Sequence, residues 1–127
     1  MKNGLNPQIW IDKADEDLRA ARLIAEREKR LWAQIGFLLQ QATEKYLKAF
    51  LISKQIRFPK THNLEYLQEM CADIEQEFRN IDFGDMTLYA VDFRYPAMFP
   101  AGEEETEDIE QYFEIVKKVR NIVITHI

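Results

Sequence analysis

Apolar side chains recur at steps of three and four along most of this chain, and no stretch shows a strand-like alternation of apolar and polar residues. Ile11, Ala14, Leu18, Ala21 and Ala25 form the first stripe. Asn6 is placed to cap that helix, Pro7 fits its first position, and Leu5 can pack on Trp10 as a hydrophobic staple. The mixed-charge run from Glu26 to Arg30 ends it. Leu38, Ala42, Tyr46 and Ala49, widened by Leu39 and Phe50, predict a second helix from about Leu31 to Ser53. A connection from Lys54 to Thr61, containing Pro59, is expected to stop it. Thr61 or Asn63 can cap a third helix, whose stripe is Leu64, Leu67, Cys71, Ile74 and Phe78.

Gly84 interrupts next, and Asp85 to Asp92 is expected to form a short helix bearing Met86, Tyr89 and Ala90. Two prolines and a glycine make Arg94 to Gly102 a loop. The last helix starts near Thr106 and carries Ile109, Phe113, Val116, Val119 and Val123. The expected fold is all-α: an up-and-down four-helix bundle with an additional short helix before the last long helix, in one domain spanning 1–127. Ile122, Val123, Ile124 and Thr125 are β-branched residues in succession, and such a run relies on packing to stay helical. Together with Ile115 and Ile127 they make that end apolar on nearly all sides, which calls for a second covered surface: a homodimer, or a tightly closed monomer.

Composition narrows the class. Hydrophobic residues make up 46% and charged residues 31%, the balance of a globular domain. No apolar run is long enough to span a bilayer and the start lacks an apolar signal segment, so a cytoplasmic protein is expected. Cys71 is the only cysteine, which excludes an internal disulfide or a cysteine-based zinc site, and its apolar position predicts burial. The net charge of −5 argues against non-specific coating of nucleic acid. The charge is uneven, however. Lys45 to His62 holds five basic residues and no acidic one, while Glu103 to Glu110 holds six acidic residues and no basic one. The acidic run suits a solvated helix start, where the macrodipole favours negative charge.

Common catalytic motifs are missing: no glycine-rich phosphate loop, no paired-histidine zinc helix, no di-metal bundle pattern. No metal ligand and no cofactor is expected. Four features remain. Gln41, Glu44, Lys45 and Lys48 form an ordered polar row on the second helix, rich in i,i+3 and i,i+4 pairs. His62 stands at the mouth of the third helix, where it either moves protons or bonds backbone. In Arg94-Tyr95-Pro96 the proline holds Tyr95 extended, so the Arg/Tyr corner either anchors the bundle or receives a phosphate or stacked base. Arg120 and His126 match a loose arginine–histidine spacing that could stabilise the phosphorane charge and move the proton of the 2′-hydroxyl in metal-independent RNA cleavage. Arg57 and His62 meet the same spacing, and a straight helix turns residues six apart by about 120° from one another.

Several ordered segments resemble the HEPN family. Asp15 to Ala21 with Leu23, then Phe37 to Leu51 with Gln40-Gln41-Ala42, Glu44-Lys45 and Leu47-Lys48-Ala49, look like its first two helices. Thr61-His62-Asn63-Leu64 with Leu67 is similar to its entry to the third helix, and Tyr89 with Arg94-Tyr95-Pro96 to the Arg-Tyr-Pro element of one branch. The resemblance implies a helical bundle, usually dimeric, and often a partner minimal nucleotidyltransferase. It implies one of two activities: RNase action in toxin–antitoxin or defence systems, or nucleotide or RNA binding without cleavage. In the RNase branches the arginine–histidine pair lies near the start of the last helix, whereas here it lies at the far end. The leading expectation is a binding module that uses Gln41, Lys45, Lys48, His62, Arg94 and Tyr95. The alternatives are an endoribonuclease that uses Arg120 and His126, and a purely structural adaptor.

Overall fold

Residues 6–88 and 106–127 are described in the computed structural model. Among the described residues four α-helices follow one another: α1 (Pro7–Arg27), α2 (Trp32–Ser53), α3 (Leu64–Ala72) and α4 (Thr106–His126). Two 3-10 turns, Gln76–Asn80 and Met86–Leu88, lie between α3 and α4, and there is no strand among the described residues. No helix among them is long and apolar enough to cross a membrane.

The start of α1 follows its local chemistry. The Asn6 side chain accepts the Gln8 backbone N–H at 2.9 Å, and Pro7 fills the first helical position. The Leu5–Trp10 staple involves a residue outside the described ones. Ile11, Ala14, Ala21 and Ala25 are buried as the stripe requires, with Leu18 packed at the edge of the core. The small alanines let α2 approach closely, and α1 is the neighbour against which α2 packs most extensively.

α2 is the central element. Burial surrounds it between Leu39 and Leu51, where Leu39, Ala42, Tyr46, Leu47, Ala49, Phe50 and Leu51 are fully enclosed by α1, α3 and α4. It ends before Pro59 has any say. Gln55 adopts a left-handed backbone (φ 59°), the Ile56 N–H reaches the Leu51 carbonyl at 2.9 Å, and the Gln55 N–H reaches Ile52 at 3.0 Å. This is a Schellman motif with glutamine where glycine is usual. It closes the helix at Ser53, six residues short of the proline.

α3 is shorter than the periodicity predicts. Asn63 caps it, accepting the Tyr66 N–H at 3.0 Å, but the helix ends at Ala72. Glu75 then turns extended (φ −131°, ψ 109°) and caps a 3-10 turn, with Gln68 Nε2 donating to the Phe78 and Ile81 carbonyls at 2.6 Å each. The break carries Phe78 edge-on against Phe50, ring centres 4.8 Å apart, while Ile74 is left 44% exposed. Ile74 is therefore not on the core stripe. The short helix expected over 85–92 appears within the described residues as the 3-10 turn Met86–Leu88, introduced by Gly84 at φ 57°; residues 89–105, including Arg94, Tyr95 and Pro96, lie outside the described set. In α4 the expected stripe of Ile109, Phe113, Val116, Val119 and Val123 is buried.

Gln55→Gly should raise stability by about 0.5–1 kcal/mol, because glycine removes the cost of a side chain in the left-handed region and loses part of that gain to a more flexible unfolded chain. A higher urea midpoint with an unchanged slope is the expected result.

Candidate functional site

Two polar networks leave α2 on different sides. The first grows from residues four apart. Gln40, Glu44 and Lys48 share one face, and all three are buried. The Glu44 carboxylate accepts from Lys48 Nζ at 2.8 Å and from Gln40 Nε2 at 3.3 Å, and its other contact is His62 Nδ1 at 2.8 Å. Gln40 Nε2 also donates to the His62 carbonyl at 3.0 Å, and Gln41 Nε2 donates to Gln40 Oε1 at 3.0 Å. Lys48 is flanked by the rings of Phe58, 5.6 Å away, and Trp10, 6.0 Å away. The side chain of His62 is 62% exposed while that of its carboxylate partner is only 7% exposed. The result is a surface imidazole fixed from behind, an arrangement fit for proton transfer or for holding an anion.

The second network joins α1, α2 and α4. Arg120 on α4 grips Asp15 on α1 through Nε at 2.9 Å and Nη2 at 3.3 Å, and the buried Tyr46 hydroxyl donates to the same carboxylate. Burial pushes the Asp15 carboxyl up, but the bonds from Arg120 and Tyr46 outweigh it and hold the group below its ordinary value. Burial, reinforced by Asp15, drives the Tyr46 hydroxyl far above its usual range, so it remains a donor. Beside it, Lys45 Nζ lies 2.6 Å from Asp17.

Gln41, Lys48 and His62 therefore meet in one network, while Lys45 belongs to the α1 side and Arg94 and Tyr95 fall outside the described residues. Arg120 and His126 are held apart by their partners: Arg120 by Asp15, and His126 by Glu75 at 3.3 Å and Glu77 at 2.7 Å. Of the residues that organise both networks, Gln40, Asp15 and Asp17 were not among the candidates, and Glu44 was noted only as a member of the polar row. Only the i,i+4 series Gln40, Glu44, Lys48 carried a signal for them in the sequence. Cys71 is buried, with its Sγ 3.6 Å from the Leu47 carbonyl and its thiol pushed up to about 12 by desolvation, so it is no nucleophile.

Glu44→Gln should destabilise the fold by about 3–5 kcal/mol, since it leaves the Lys48 ammonium buried without its carboxylate, and Glu44→Gln with Lys48→Met should recover much of that loss in a urea titration. For Asp15 the pKa is depressed in the fold, so its contribution is complete above the ordinary value of 3.8 and vanishes as pH falls through the lower folded value. The stability gap between the wild type and Asp15→Asn should accordingly be constant near neutrality and narrow below about pH 4.

The sequence model of one family, described as the HEPN domain, matches residues 7–126, from the first residue of α1 to the last of α4. No curated protein and no solved structure matches. The match takes in the four described helices and both polar networks, and the chain belongs to the HEPN domain family.

Proposed function

We propose that this HEPN domain is a dimerising module that binds a phosphate-bearing ligand, a nucleotide or an RNA end, beside a partner minimal nucleotidyltransferase in a toxin–antitoxin or defence pair. The observation that carries the reading is His62, an exposed imidazole fixed by the buried Glu44 and Gln40. Arg57 and Lys60 lie on the same connection, both exposed and without an ion pair to any described residue. Cations without an ion pair among the described residues, on the connection that ends in a positioned imidazole, favour an anionic ligand. Lys48 and Gln41 then act from behind, holding Glu44 and Gln40, and Lys45, its charge met by Asp17, joins from the α1 side. Arg94 and Tyr95 complete the proposed ligand set through the chemistry of a guanidinium beside an aromatic ring. Ile124 and Ile127, 43% and 45% exposed at the end of α4, support the dimer. Binding is favoured over cleavage because Arg120 and His126 are each engaged with different carboxylates.

Calorimetric titration of the chain with ATP, GTP and a short RNA should detect binding to at least one. The double variant Arg57→Ala/Lys60→Ala should weaken it about tenfold and reduce the salt slope by about 1–2. Absence of binding to all three, by the chain alone and with its partner, would overturn the reading. RNA cleavage that disappears in His126→Ala would favour the endoribonuclease instead.

A further inference from the structure

The His62 ring is held by one nitrogen and open at the other. Nδ1 lies 2.8 Å from Glu44 Oε1, an oxygen that also accepts from Gln40 Nε2, while Lys48 Nζ donates to Oε2. A carboxylate so engaged has no proton to give, so Nδ1 is the donor. In the neutral ring the single N–H is then spent on Glu44, and Nε2 carries a lone pair. Nε2 has no partner among the described residues, and the side chain is 62% exposed. Gln40 Nε2 holds the carbonyl of the same residue at 3.0 Å. Which nitrogen meets a ligand is therefore settled from behind, by α2.

Nε2 can hold a ligand in two ways. As a neutral ring it accepts from a hydroxyl; with a second proton it donates to an anion. The charges around it decide between them. On its own connection Arg57 and Lys60 have no ion pair among the described residues, whereas Lys54 is spent on the His126 carbonyl at 2.7 Å. On α2, Lys48 holds the far oxygen of Glu44. In the first turn of α3, Glu65 accepts from Thr87 Oγ1 at 2.9 Å, and the turn Met86–Leu88 brings no charge of its own. Uncommitted cations draw an anion to the exposed side, and an anion against Nε2 draws a proton onto it.

We propose that Glu44 is a positioning residue for ligand binding: it keeps the Nδ1 proton, so that Nε2 alone meets the phosphate, and the ring takes a proton from solvent there as the phosphate docks. This deepens the ligand reading of His62 and rests on it. At low pH the free ring already carries both protons and binding is tightest. As pH rises the free ring loses its Nε2 proton first, every complex must then recover one, and affinity falls until the bound ring loses it too. An opposite charge in contact is worth about a factor of ten or more in proton affinity.

Calorimetry of the full chain with ATP, GTP and a short RNA with hydroxyl ends, each in two buffers of different ionisation enthalpy, reads both affinity and proton uptake. Affinity should fall about tenfold between about pH 5.5 and pH 8.5, with net uptake of a fraction of a proton that approaches one in mid-range. His62→Gln keeps the fold, because the side chain is exposed, and should abolish both effects; with ATP and GTP it also records the nucleotide's own titration. Glu44→Gln with Lys48→Met should move the fall in affinity to lower pH, a change that a merely structural glutamate would not produce. Binding without proton uptake, or affinity that rises with pH, means that Nε2 accepts from a hydroxyl; it overturns this inference and leaves the ligand reading standing. Uptake unchanged in His62→Gln places the proton elsewhere and overturns it too. No binding of any probe at any pH overturns the ligand reading, and this inference with it.

Discussion

A carboxylate taken out of water must be answered by donors, and Glu44 is answered from two directions: by Lys48 and Gln40 along its own helix, and by His62 at the entrance to α3. Removing one such charge from water costs several kcal/mol, so packings that leave Glu44 without partners are excluded. Apolar burial around α2 supplies most of the stability, but it is tolerant of small shifts in register. The Glu44 network is not. It ties His62, two residues before α3, to one turn of α2, and the position of the imidazole follows from that constraint rather than from the loop that carries it.

The Asp15 network applies the same logic to the other side of the bundle. A single carboxylate on α1 collects Tyr46 from α2 and Arg120 from α4, residues 31 and 105 positions away in the chain. Three helices are thereby fixed at one point. α2 thus contributes a polar contact to each of its neighbours while its apolar residues fill the core. A surface polar row of that length would be unremarkable for solubility; here most of its members are structural, and only His62 is left facing outward with a prepared partner.

The sequence made the helices legible because their chemistry is local. Asn6, Pro7 and Asn63 act within three residues of themselves, and the α4 stripe needs only its own spacing. The break after Ala72 was hidden, since Ile74 and Phe78 continue the three-four rhythm of Leu67 and Cys71 even though the backbone leaves the helix between them. The end of α2 was credited to Pro59, whereas a glutamine in a left-handed conformation does the work, a choice with no compositional mark. Of the Glu44 network, Lys48 and His62 were singled out from the sequence. Asp15 and Asp17 were not, because a long-range ion pair leaves no periodic trace.

Cys71 gives the molecule a property unrelated to its ligand. The sulfur is enclosed against α2 and its ionisation is suppressed, so a thiol reagent can reach it only when the core parts. As the single sulfhydryl of the chain, it acts as an internal clock of opening: the pace at which it is modified measures how often α3 separates from α2. The same enclosure shields it from oxidants, so the folded domain can pass through oxidising conditions without forming cross-linked species.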